Sequence, residues 1–160
     1  MYSGYDAAMT QQWLSDEQQR VWRGYLAMVG RLEAAMNRQL QRDCGVTLPD
    51  YDVLVELSDR GPMRIFELGE VLSWEQSRLS HQLRRMRTRG MVERRGSADD
   101  GRGAIVEITA SGRSALAAAA PGHVELVRGV VFEGMTEAQL RALGSLTETV
   151  LARLATSPLR

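Results

Sequence analysis

The residues of this 160-residue chain best equipped for chemistry crowd into one stretch, SRLSHQLRRMRTRGMVERRGSADDGRG, residues 77–103. Eight arginines stand there against three acids, a local balance of +5 in a chain whose formal net charge is 0. Everything outside the stretch therefore sums to −5. The asymmetry says more than the total, because a field acts where charge is concentrated. Such a segment suits a polyanion. Arginines supply phosphate contacts, and Ser77, Ser80 and His81 are small or hydrogen-bonding side chains able to reach base edges.

No other chemistry is legible. An enzyme would need a nucleophile–base pair or a metal constellation, and neither is readable, since Cys44, His81 and His123 share no ligand spacing. No catalytic residue, metal or cofactor is expected, and His123 reads as an ordinary helix residue. Cys44 is the single cysteine, which excludes an intramolecular disulfide. No apolar run approaches the ~20 residues that cross a bilayer, and MYSGYDAAMT lacks a basic-then-apolar leader. A cytoplasmic protein with no membrane partner is the default expectation. A hydrophobic content of 44% is enough for a real core.

The neighbouring segments must hold this stretch in place. Residues 12–41 read as a long helix, with Ser15 and Gln18 spaced as a capping box and Trp22, Leu26, Val29, Leu32, Met36 and Leu40 at helical spacing. Tyr25 and Met28 widen that stripe. RDCGVTLPD reads as a loop, and Leu48-Pro49-Asp50 leads into a helix over 50–59 with Val53, Leu54 and Leu57 inward. Gly61-Pro62 ends it. A short helix over 64–72 would bury Ile65, Leu68 and Leu72. After a turn at Ser73-Trp74 a further helix runs from about 75 to 89, closed by Gly90. Its Leu79, Leu83 and Met86 point inward, which leaves Ser77, His81, Arg84 and Arg85 on or near the opposite face.

The periodicity then changes. MVERR and GAIVEI flank the turn-rich SADDGR, so residues 91–108 read as a β-hairpin. Helix returns over 109–131, where Pro121-Gly122 should bend or break it. A last helix follows Thr136, which is spaced with Gln139 as a second capping box, and carries Leu140, Leu143, Leu146, Val150 and Leu154 on one stripe.

Two short helices joined by a tight turn, then an arginine-bearing hairpin, compose a winged helix-turn-helix. The expected fold class is mainly α with a small β-hairpin wing, flanked by long N- and C-terminal dimerisation helices. The major groove of duplex DNA admits a helix. Ser77, Arg78, Ser80 and His81 are the candidates for base contact, and Arg84, Arg85 and Arg87 for phosphate contact further along. Arg94, Arg95 and Arg102 have the chemistry to follow the adjacent minor groove. For Arg84 and Arg85 the competing expectation is pairing with acids on a neighbouring helix.

From about Leu48 onward the chain resembles the multiple-antibiotic-resistance regulator (MarR) family of bacterial transcription factors. The resemblance lies in LPDYDVLVELS (48–58), SRLSHQLRRMRTRGMVERR (77–95), DDGRGAIVEIT (99–109) and PGHVELVR (121–128), in that order. It implies a triangular homodimer with interlaced terminal helices, bound to a pseudo-palindromic promoter site on double-stranded DNA. It also implies release by a small phenolic or aromatic effector, or by thiol oxidation. Ser77, Arg78, Ser80 and His81 fall where that family's recognition helix meets bases, and Arg84 where it often meets the backbone. Asp99, Asp100 and Arg102 match the wing-tip motif, in which an aspartate braces the arginine that enters the minor groove. Gly101 stands where a second arginine is frequent.

The implied layout is an N-terminal dimerisation helix in 1–47, the DNA-binding domain in 48–109 and C-terminal dimerisation helices in 110–160. The apolar stripes of the terminal helices exceed what one small core can cover, which is an independent reason to expect a homodimer. Trp13, Trp22 and Tyr25 are the candidate aromatic contacts for an effector. From a different class, the competing function is an arginine-rich module that docks an acidic protein without sequence-specific DNA binding.

Overall fold

Capping chemistry sets where the helices begin. In the computed structural model, which describes residues 13–96 and 104–156, Ser15 and Gln18 close a reciprocal box at the start of α1 (Asp16–Cys44). Thr47 and Asp50 do the same for α2 (Leu48–Arg60), and Thr136 and Gln139 for the last helix, α6 (Glu137–Thr156). Between them lie β1 (Met63–Arg64), α3 (Ile65–Leu72), α4 (Gln76–Thr88), β2 (Val92–Arg95), β3 (Ile105–Ile108) and α5 (Ala110–Val127). The helix α5 runs on into a π-helical turn at Arg128–Phe132. The fold is mainly helical with a small antiparallel hairpin, the architecture expected from the sequence.

One apolar cluster unites the middle of the chain. Val53, Leu54 and Leu57 of α2, Leu68 of α3, and Leu79, Leu83 and Met86 of α4 meet Met91, Val92, Val106 and Ile108 of the hairpin. Burying each such side chain is worth ~1.5–3 kcal/mol, so α2–β3 is held by its own contacts. The sheet order is β1–β3–β2, all antiparallel, with Val92 opposite Ile108 and Arg94 opposite Val106. Leu40 of α1 and Ala119 of α5 are also buried, but along much of the terminal helices the pattern inverts. Trp22 and Leu26 of α1 and Leu146 and Leu154 of α6 are all at least half exposed in the single chain.

Four details depart from the sequence-based expectation. The helix α1 continues through Arg42-Asp43-Cys44 and stops at Gly45, whose φ of 65° is the left-handed geometry of a helix C-cap. Arg42 and Gln39 both donate to Asp43, and the bond from Arg42 does most to hold that carboxyl below its usual range. Met63-Arg64 pairs with β3 as a strand, too short to register as a pattern. Pro121 does not break α5, which is continuous from Ala110 to Val127. The proline is exposed, so water can satisfy the carbonyl it frees. Its neighbour Gly122 lies so close to α1 that a Cβ there would sit 2.7 Å from Gln39 Nε2.

Finally, the helical stretch Ala110–Phe132 is, by length and composition, apolar enough to cross a membrane. A search for unbroken apolar runs passes over it because Arg113, His123, Glu125 and Arg128 divide it. It packs against α1 and α2, and four titratable side chains along its length are costly in lipid.

Candidate nucleic-acid interface

The turn that presents α4 is built from a few local choices. Ser73 adopts φ 54°, a left-handed cap for α3, with its N–H on the Glu70 carbonyl and the Trp74 N–H on that of Gly69. Gly69 leaves room for the Gln76 side chain, whose Nε2 lies 2.6 Å from where a Cβ would stand. At the far end Gly90, with φ 70°, turns the chain into β2.

Between these ends α4 shows two polar faces. Ser77, Ser80, His81, Arg84 and Arg87 recur at helical spacing and line a cleft of about 470 Å³ together with Arg94 of the hairpin. Strand alternation accounts for Arg94. Val92 and Arg94 share the side of β2 that faces α4, while Glu93 and Arg95 point away. Among the described residues no carboxylate or hydrogen-bond acceptor engages the guanidinium of Arg84, Arg87 or Arg94. Three cations therefore line one groove without an ion pair among the described residues, although Glu93 borders the adjoining cleft with them.

The adjoining face carries Arg78, Gln82, Arg85 and Arg89, and each is engaged. The Arg78 guanidinium lies 4.3 Å from the centre of the Trp74 ring, a cation–π stack. Arg85 donates to Gln82 Oε1 at 2.7 Å, and Arg89 donates to Asp50 Oδ2 at 2.7 Å and to the Gly45 carbonyl at 2.6 Å. Nearby Asp52 has its pKa pushed up to about 6. Burial is the main cause, Glu33 and Glu56 add to it, and the Arg78 charge opposes it. On the outer side of the hairpin Arg95 pairs with Glu93 and Glu107. These two carboxyls stand opposite one another, and the hydrogen bond between them holds Glu107 above its usual range and Glu93 below.

The structure thus brings Ser77, Ser80, His81, Arg84 and Arg94 into one groove and sets Arg78 and Arg85 beside it. The acid expected as a partner for Arg85 is reached through Gln82, whereas Arg84 has none among the described residues. Asp99, Asp100 and Arg102 lie outside the described residues. Trp13, Trp22 and Tyr25 are all exposed, and the rings of Trp22 and Tyr25 stack at 5.6 Å. His123 tilts against Tyr51 at 4.5 Å, and burial lowers its pKa. Sequence reading passes over Arg89, Gln82 and Asp50. Spacing offers a signal, because Gln82 and Arg89 fall on one helical line with Arg78 and Arg85, but nothing in it points to the acid across the fold.

A helix-turn-helix with a β-hairpin wing, carried between long terminal helices, defines a class of transcription regulators. A MarR family model matches residues 45–103. Sco3205, a MarR family transcriptional regulator from Streptomyces coelicolor solved in complex with DNA, is 36% identical. It superposes with a TM-score of 0.83 over 92% of each chain. AbsC, a MarR family transcriptional regulator from the same organism, is 30% identical, with a TM-score of 0.82 over 91% of this chain and 99% of its own. A mutant MarR from E. coli complexed with operator DNA is 23% identical, with a TM-score of 0.69 over 82% of this chain and 94% of its own, and speaks to the fold alone. No curated protein matches the sequence significantly. The chain belongs to the MarR family and is a transcription regulator, not an enzyme.

Proposed function

We propose that the protein is a cytoplasmic, sequence-specific regulator that binds double-stranded DNA as a homodimer, on a pseudo-palindromic promoter site, and represses by occupying it. The observation that carries this reading is the groove between α4 and β2, where Arg84, Arg87 and Arg94 form no ion pair among the described residues and stand beside Ser77, Ser80 and His81. Unneutralised guanidinium groups are suited to phosphate, and the hydroxyls and imidazole above them to base edges in a major groove. Arg78 and Arg85 flank the groove as oriented donors. In this reading Arg102, braced by Asp99 or Asp100, follows the minor groove. The 36% identity to Sco3205, itself solved with DNA, supports the same assignment.

The homodimer accounts for the apolar faces of the terminal helices. Leu140, Leu146, Val150 and Leu154 of α6 and Trp22 and Leu26 of α1 are exposed in one chain, and a second copy would cover them. Two recognition helices related by a twofold axis then meet half-sites about one turn of DNA apart. A small aromatic or phenolic effector fits the exposed aromatic set Trp13, Trp22 and Tyr25, where it would act on the dimer geometry.

Fluorescence anisotropy tests the reading. A duplex carrying the inverted repeat from the flanking promoter should bind far more tightly than a scrambled duplex of equal length, at several salt concentrations. Equal binding to both would favour the alternative of an arginine-rich module for acidic proteins. Sedimentation should show a dimer of the 17.8 kDa chain at micromolar concentration. A stable monomer would remove both the dimer and the inverted repeat.

A further inference from the structure

We propose that Asp50, at the start of α2, is a positioning residue for DNA recognition, acting through Gln82 and Arg89 on the orientation of α4. The proposal rests on the DNA-binding reading above and deepens it. Asp50 is 1% exposed and does not line the groove, yet its carboxylate is engaged on both oxygens. Oδ2 accepts from the Thr47 N–H at 2.9 Å, the ordinary capping-box bond, and from Arg89 Nη1 at 2.7 Å. Oδ1 accepts from Gln82 Nε2 at 2.6 Å. A capping box needs one oxygen. The second grips another helix.

The two anchor points, Gln82 within α4 and Arg89 at its C-cap, are seven residues apart, about two turns along one face. A single buried group holding both resists rotation of the helix and sliding along its axis. The chemistry also fixes the next bond outward. An ionised carboxylate only accepts, so Gln82 must present its NH₂ to Asp50 and its carbonyl oxygen outward. That oxygen takes Arg85 Nη2 at 2.7 Å, so Asp50 orients the Arg85 fork through one intermediate amide. Arg89 continues the chain the other way, with Nη2 donating at 2.6 Å to the carbonyl of Gly45, the C-cap residue of α1. The Arg89 guanidinium therefore ties the end of the recognition helix to the end of α1, and the Asp50 carboxylate holds that guanidinium in place.

The test measures the affinity of the full-length protein for inverted-repeat and scrambled duplexes, with the active fraction fixed by stoichiometric titration. Wild type, Asp50→Asn, Arg89→Gln and the double variant are compared. Asp50→Asn should weaken the inverted repeat about tenfold while changing scrambled duplex little, and the double variant should be no worse than either single one. A purely structural role would lower the active fraction and Tm but leave the discrimination of the active protein intact, and that result overturns the proposal. Should Asp50→Asn yield no active protein, Arg89→Gln decides the matter alone, because it breaks the same bond from the half-exposed side. If wild type itself fails to discriminate, the DNA-binding reading falls and the proposal with it; if only the variants match wild type, the proposal falls alone.

Discussion

Two faces of one helix carry the same residue type to different ends. On one, Arg84 and Arg87 point into a groove that Arg94 closes from the hairpin, and no described carboxylate neutralises them. On the other, Arg78 stacks on Trp74, Arg85 is held by Gln82, and Arg89 is locked to Asp50. Charge on the first face is loose and adaptable, which suits phosphates whose positions vary with sequence. Charge on the second is fixed in a plane before any ligand arrives, which suits a contact in which geometry discriminates. Counting arginines in the stretch treats all eight alike, although only some of them are free to meet a ligand.

The largest effect should come from emptying the free face. Replacing Arg84, Arg87 and Arg94 together with alanine should weaken binding to every duplex. The dependence of log K on log salt should become shallower by about one unit for each phosphate that is no longer neutralised. An effect confined to the inverted repeat would mean that the free face reads bases, and the division between the faces would be wrong.

A smaller and more selective effect is expected at Arg78. Alanine there should cost ~1–3 kcal/mol on the inverted repeat, relax preference at one position per half-site and barely touch scrambled duplex. Lysine sharpens the comparison. At Arg84 or Arg87 a point charge is sufficient for phosphate, so lysine should behave nearly as wild type. At Arg78 it should be as poor as alanine, because an ammonium neither stacks flat on Trp74 nor makes a two-pronged bond. Equal tolerance at both positions would erase the distinction.

The hairpin offers the same contrast one residue apart. Arg94→Ala should lower affinity for all duplexes, whereas Arg95→Ala should leave it within about twofold, because Arg95 faces Glu93 and Glu107 on the outer side. Titrations at two salt concentrations would show whether the alternation of β2 divides the two as described.

Much of this is legible in the sequence. The order of helices, the hairpin and the inward positions Leu79, Leu83 and Met86 follow from periodicity, because burial is a local, repeating demand on sequence. The free face is legible for the same reason: Ser77, His81 and Arg84 are what remains when the apolar positions are taken away. The held face is not. Asp50 and Gln82 lie 32 residues apart in sequence and Asp50 and Arg89 39 apart, and spacing along a chain carries no information about a contact made by folding. Pro121 misleads for a related reason. A proline's cost in a helix is local, but whether the helix survives it depends on packing against α1, which local sequence does not encode.

The smallest effect tests whether the held face depends on its acids or on Trp74. Asp52 lies in α2 near Arg78, its pKa raised from the usual carboxylate value to about 6, chiefly by burial. A folded-state pKa above the unfolded one means that the carboxyl supports folding most when protonated. That contribution is complete below pH ~4 and is lost as pH rises through about 6. At pH 7.5 wild type therefore carries an unfavourable half-buried charge that Asp52→Asn lacks. The variant should melt higher there, by about 1 kcal/mol or less once solvent screening of a partly exposed group is allowed for, and the gain should shrink by pH 4.5. Thermal melts at the two pH values measure this directly, and a variant less stable at pH 7.5 would show that attraction to Arg78 outweighs the cost of burial. DNA discrimination in the same variant should stay within about twofold of wild type, since the ring of Trp74 would still hold the guanidinium. A larger drop would transfer the orienting role from the tryptophan to the aspartate, and would make the held face an acid-dependent device throughout.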